Sequence, residues 1–218
     1  GFLMQTLLAR FPGRKLSAAG FSLGGNALLK YLGECGEDCS LSAAVAVSVP
    51  FDLSRCAERL RTGASRIYQR HLLGKLLSKV SARAELLTQA GVDVPHALGS
   101  QNFRQFDGRV VAPLFGFEDA DDYYAKASCG PFLSAIQVPT LIIQAADDPF
   151  MSPEVIPDES DLSDAVTLEL SARGGHVGFV SGVREYWLDG RITAELIGRD
   201  KLKSASESHH GTRLETLR

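Results

Sequence analysis

The stretch Lys15–Ala27, K-L-S-A-A-G-F-S-L-G-G-N-A, constrains this chain more than any other. It carries G-x-S-x-G at Gly20, Ser22 and Gly24. A short run of small and apolar residues, Leu16 to Gly20, leads in. An amphipathic pattern leads out, with Leu23, Ala27, Leu28, Tyr31 and Leu32 recurring at helical spacing. A strand, a sharp turn and a helix are what a nucleophile elbow requires. Such a turn strains the serine backbone and points its hydroxyl outward, and the flanking glycines let strand and helix approach without side-chain collision. The helix start turns its free N–H groups and positive dipole end toward the site, which favours a developing oxyanion. The competing reading is a serine in a glycine-rich turn without chemistry, and the flanking strand and helix argue against it.

The rest of the chain alternates strands with helices, which indicates an α/β fold around a parallel sheet. Residues 2–11 read as a helix with Phe2, Leu3, Leu7 and Phe11 inward and Pro12-Gly13 as its stop. Gly33 is expected to end the helix after the elbow. Leu41–Val49 reads as a strand covered on both faces and stopped by Pro50. Val138–Ala145 is a second such strand, and residues 165–171 alternate as a half-buried one. A helix with Tyr186, Trp187, Ile192 and Leu196 closes the fold, and a polar tail follows over 201–218, where His209-His210 is given no role.

Three expected strand ends carry Ser22, Asp147-Asp148 and His176, at the edge where open α/β sheets place their sites. A serine hydroxyl needs a base within hydrogen-bond reach, and histidine suits because its ordinary pKa of about 6.5 lies near working pH. A carboxylate must then hold the imidazole in the right tautomer. His176 follows two glycines at a strand end, whereas His71 and His96 lack comparable context. Physics alone leaves Asp147 and Asp148 both open, since an aspartate before proline also initiates turns.

Between the second strand and Val138 lies a different composition. Residues 54–90 are helical in pattern and basic, with Lys75 and Lys79 opposite an apolar face of Leu72, Leu73, Leu76, Leu77 and Val80. One reading is a cap helix that meets lipid headgroups, a membrane surface or acidic substrates. The favoured reading is a solvated face balanced by Glu118, Asp119, Asp121 and Asp122. The net charge of -3 over 218 residues argues against nucleic acid as a partner. No apolar run is long enough to span a bilayer, and no export signal is visible. The four cysteines, Cys35, Cys39, Cys56 and Cys129, show no CxxC spacing; Cys35 and Cys39 flank a loop where a redox or metal pair is conceivable, but four cysteines without a nearby histidine read as reduced thiols. These features give a cytoplasmic expectation. The expected chemistry uses no cofactor and no metal, and no oligomeric state is read from the sequence.

G-F-S-L-G-G-N, S-V-P-F-D-L, S-R-I-Y-Q-R-H-L-L, G-F-x-D-A-x-D-Y-Y, P-T-L-I-I-Q-A-x-D-D-P-F and G-G-H-V-G-F together resemble the YheT-like α/β-hydrolases. These are bacterial relatives of animal abhydrolase-domain lipases and yeast medium-chain ester synthase/esterases. The resemblance runs from about residue 1 to 198. It implies a partial α/β-hydrolase domain over residues 1–200, with a helical cap insertion at about 54–130. It also implies a serine hydrolase acting on carboxylic esters, of lipid type or with medium to short acyl chains. The order Ser, Asp, His is that of this fold. The family's nucleophile falls on Ser22, its histidine on His176 and its acid on Asp148, with the Leu23 N–H as an oxyanion donor.

Members carry several strands and an oxyanion-hole loop before the elbow, whereas the nucleophile here is residue 22. The expectation is a C-terminal portion of a hydrolase with an unpaired sheet edge. Loss of one oxyanion donor typically costs about 2.7–4 kcal/mol. The competing expectations are a catalytically impaired fragment that acts as a binding module, and an amidase on the same triad.

Overall fold

The computed structural model describes residues 2–181 and 185–197. The tail at 201–218, with His209 and His210, lies outside the described residues, as does the side chain of Leu3. Four parallel strands form the sheet: β1 (Leu16–Phe21), β2 (Leu41–Val47), β3 (Thr140–Ala145) and β4 (Val166–Ser171), in spatial order β1-β2-β3-β4. Strand alternation divides the core in two. Ala44, Ala46 and Ile142 face one side, where Leu29 and Leu32 of helix α2 (Leu23–Cys35) pack with Leu133 and Ile136. Val45, Val47, Leu141 and Ile143 face the other, under Phe179 and Leu188. Trp187, Ile192 and Leu196 of the closing helix, residues 187–197, complete that layer. Tyr186 departs from the expected helix face. It lies in a short antiparallel pair, Val180–Ser181 with Glu185–Tyr186, and is exposed.

β1 is an edge strand and pairs with β2 alone among the described residues. This explains a departure in helix α1 (Phe2–Arg10). Two residues of its expected inward stripe are turned out, Phe2 85% and Phe11 47% exposed, and α1 reaches the core through Met4. With no strand beyond β1, the stripe has nothing to pack on.

Two other boundaries differ from expectation. α2 continues through Gly33 to Cys35 and ends at Gly36, where φ is +52°. Gly33 instead permits a close crossing, because a Cβ there would sit 2.3 Å from the Phe132 carbonyl oxygen. β2 stops at Val47, because Ser48 turns the chain with φ +53°.

All remaining helices up to β3 lie between β2 and β3. They are α3 (Leu53–Arg59), α4 (Ser65–Ala82), α5 (Ala84–Gln89), α6 (Val94–Leu98), α7 (Phe103–Phe106), α8 (Ala112–Phe115) and α9 (Ala120–Ala127). The expected helical stretch at 54–90 is thus broken twice, at Gly63 (φ +51°) and at Arg83. The insertion has its own cluster, built around Leu73, Val80, Val94, Phe106 and Val110. No helix among the described residues is long and apolar enough to cross a membrane.

Candidate active site

Ser22 occupies the turn between β1 and α2 with φ 52° and ψ -125°. L-residues avoid this region, at a cost of about 1–3 kcal/mol. The turn is held from both sides: the Ser22 N–H donates to the Val47 carbonyl (2.8 Å), and its own carbonyl accepts from Asn26 N–H (3.0 Å). A Cβ on Gly20 would lie 2.6 Å from the Gly24 oxygen, and one on Gly25 would lie 2.9 Å from Val49 Cγ2. Gly20 and Gly25 therefore make the close crossing possible, whereas Gly24 faces open space. Because the α2 ladder starts at Asn26, the N–H groups of Leu23, Gly24 and Gly25 precede it and are free to meet an anion.

Ser22, Asp148 and His176 come together at the carboxyl ends of β1, β3 and β4. His176 Nε2 lies 2.8 Å from Ser22 Oγ, and His176 Nδ1 lies 2.9 Å from Asp148 Oδ2. With the proton on Nδ1, the imidazole donates to the carboxylate and can accept from the serine hydroxyl. Asp148 is almost wholly buried, and its Oδ1 accepts from Phe150 N–H (2.8 Å). One carboxylate thus both orients the ring and makes the turn expected before Pro149. Asp147 faces away and accepts from the N–H groups of Gly174 and Gly175 through Oδ1, both at 2.8 Å. It shapes the loop that presents the histidine.

Several supporting residues lie in the motifs that carry the family resemblance, which assigned them no role. Phe150 stacks on the His176 ring at 4.0 Å and 13°, and Tyr68 of α4 leans on Phe150 at 5.2 Å. Ser65, at the start of α4, donates to the Pro149 carbonyl (2.6 Å). The Ser48 hydroxyl donates to the His176 carbonyl, which fastens the histidine loop to the end of β2. Asn26 is buried; it donates to the Ala127 carbonyl (2.8 Å) and accepts from Cys129 N–H (2.9 Å). Only G-G-N in the elbow motif hinted at Asn26.

A cavity of about 470 Å³ opens over Ser22 and His176. Its size falls within the range usual for small-molecule sites. On α3, Leu53, Cys56, Ala57 and Leu60 recur at helical spacing and face it. Asp52 and Arg55, on another side of α3, border a larger open cleft of about 820 Å³ that holds none of the three residues. More of the cavity wall comes from α4, Phe103 and Phe106. Burial pushes the Cys56 thiol up to about 12, with Asp52 and Asp148 adding to the shift, so it stays protonated beside the serine. Asp107 borders the cavity in a π-helical turn and accepts from the Tyr124 hydroxyl (2.6 Å). Burial raises its carboxyl to about 6 against the opposing effect of that bond, while burial and the nearby Asp107 raise the phenols of Tyr123 and Tyr124.

The parallel sheet, the strained serine turn and the Ser–Asp–His order together define an α/β-hydrolase. A monoacylglycerol lipase of Paleococcus ferrophilus has the same fold, with a TM-score of 0.50 at 14% identity over 90% of this chain and 73% of that one. More narrowly, the chain is similar to the YheT-like abhydrolases. It is 39% identical over 197 residues to YheT of Escherichia coli, a protein provisionally named an esterase, covering 88% of this chain and 57% of YheT. It is 34% identical to human phospholipase ABHD3 (79% and 42% covered) and 32% to a Saccharomyces cerevisiae monoacylglycerol lipase (85% and 43%). The chain spans about half the length of the curated relatives it matches. No family model matches it.

Proposed function

We propose that this chain carries the catalytic residues of a carboxylic ester hydrolase that works through an acyl-serine intermediate. The observation behind this reading is the unbroken relay from Ser22 Oγ to His176 to buried Asp148, at 2.8 and 2.9 Å, on the floor of a largely apolar cavity. His176 Nε2 takes the serine proton as Oγ attacks the ester carbonyl, and Asp148 stabilises the imidazolium that forms. The carbonyl electrons move onto oxygen, which the Leu23 N–H faces. Collapse breaks the bond to the alcohol oxygen, which leaves with the proton from His176. Water then repeats the cycle on the acyl-serine and frees the acid and Ser22. The apolar wall suits an acyl chain, in keeping with relatives named as esterases, lipases and a phospholipase.

The test is fluorophosphonate labelling of the folded chain beside Ser22→Ala and His176→Ala, with the adduct located by mass spectrometry. An adduct on Ser22 that both substitutions abolish is the expected result. A folded chain that takes no label would overturn the assignment. Ester and amide substrates matched in acyl chain separate the esterase from an amidase.

A further inference from the structure

Two lysines of α4 face the cavity without an ion-pair partner among the described residues. Lys75 and Lys79 lie one turn apart, both exposed, and both line the cavity that holds Ser22 and His176. Among the described residues, neither ammonium has an ion pair or a hydrogen bond. Of the acids expected to balance them, none pairs with either lysine, and three are engaged elsewhere. Asp121 pairs with Arg104, and Asp122 pairs with Lys126 and accepts from the Glu118 N–H. Asp119 caps α9 by accepting from Asp122 N–H. α4 itself contains no acidic residue. The one carboxyl on the cavity wall beyond the α3 side, Asp107, is bonded to Tyr124. The same α4 face supplies Leu72 and Leu76 to the wall, so apolar contacts and two positive charges without an ion-pair partner share one surface.

Resting on the ester-hydrolase reading, we infer that the substrate is a single amphiphilic ester. Its acyl chain would lie against Leu72 and Leu76, and its alcohol portion would carry an anionic group, phosphate or carboxylate, held by Lys75 and Lys79. Both lysines are exposed, so they act chiefly on substrate capture, and salt screens them.

The experiment compares octanoyl esters of glycerol, glycerol phosphate and glycerate at monomeric concentrations. The expected result is a kcat/KM for the anionic esters roughly tenfold above that for the neutral one, carried by KM and shrinking with added salt. Lys75→Gln with Lys79→Gln brings this ratio near one, and glutamate at both positions inverts it. Comparing the phosphate and carboxylate arms identifies which anion is preferred. A ratio near one in the parent chain, or one that survives the double substitution, overturns the inference and leaves the esterase reading standing. A preference that appears only on anionic vesicles also overturns it, since the lysines would then serve a lipid surface.

If no ester is cleaved and Ser22 takes no fluorophosphonate, the underlying reading fails. Octyl phosphate and octyl glucoside binding to Ser22→Ala then tests the lysines separately. Tighter binding of the phosphate that the double substitution abolishes supports the anion site, and equal binding refutes it.

Discussion

Replacing Asp148 by asparagine tests the relay at its least forgiving point. The side chain has two tasks: Oδ1 accepts from Phe150 N–H at 2.8 Å and Oδ2 faces His176 Nδ1 at 2.9 Å. An amide can satisfy only one of these as an acceptor. If its NH₂ turned toward Phe150, donor would face donor in a buried turn, at about 1–3 kcal/mol for each unsatisfied group. The favoured orientation keeps the oxygen on Phe150 and turns the NH₂ to His176 Nδ1. The imidazole must then carry its proton on Nε2, where it cannot accept from Ser22 Oγ. Wrong-tautomer locking in a serine protease triad lowers kcat by about 10⁴, equivalent to about 5 kcal/mol of barrier. Asp147→Asn keeps an oxygen for the N–H groups of Gly174 and Gly175 and should stay within roughly tenfold of the parent. The assay is kcat on an octanoyl ester with the rate of fluorophosphonate labelling, after circular dichroism confirms folding. If Asp148→Asn retains a tenth of the activity while Asp147→Asn loses most of it, the assignment of the acid is wrong.

Other consequences are as direct. Asp107 titrates near 6 when folded against an ordinary unfolded value of about 3.9, so the folded chain binds this proton more tightly. Its contribution to stability is full below about pH 4 and is lost as pH rises through about 6. Urea titrations should show Asp107→Asn gaining about 2 kcal/mol over the parent at pH 8 and nothing at pH 4. Asn26→Leu strands the Ala127 carbonyl and the Cys129 N–H, and should lower unfolding free energy by about 2–4 kcal/mol; an unchanged urea midpoint would show that those groups find other partners. Phe150→Leu removes the ring stacked on His176 and should reduce kcat roughly fivefold, whereas Phe150→Tyr should preserve it.

The three candidate residues were readable because each lies where a strand pattern ends, and parallel strands bring their carboxyl ends to one edge. The choice between Asp147 and Asp148 was not readable from spacing, because it depends on where backbone N–H groups 27 and 28 residues away take one carboxylate out of play. Gly33 misled for a related reason: a glycine that ends a helix and one that admits a neighbouring chain look alike until Phe132 is placed against it. The basic stretch at 54–90 suggested charge balance because acids are plentiful at 118–122, but capping and local pairing engage Asp119, Asp121 and Asp122, and none of the acids there pairs with Lys75 or Lys79. Phe2 and Phe11 form a good inward stripe on paper, yet a stripe becomes a core only when something covers it.

The cluster around Leu73, Val80 and Phe106 shares no residue with either face of the sheet. The insertion and the sheet are therefore separately packed units, joined by contacts that include the Ser65–Pro149 bond, the Tyr68–Phe150 contact and the bonds of Asn26 to Ala127 and Cys129. One unit walls the cavity, and the other aligns Ser22 with His176. Sequence change in the wall can therefore reshape the cavity while leaving Ser22, Asp148 and His176 untouched.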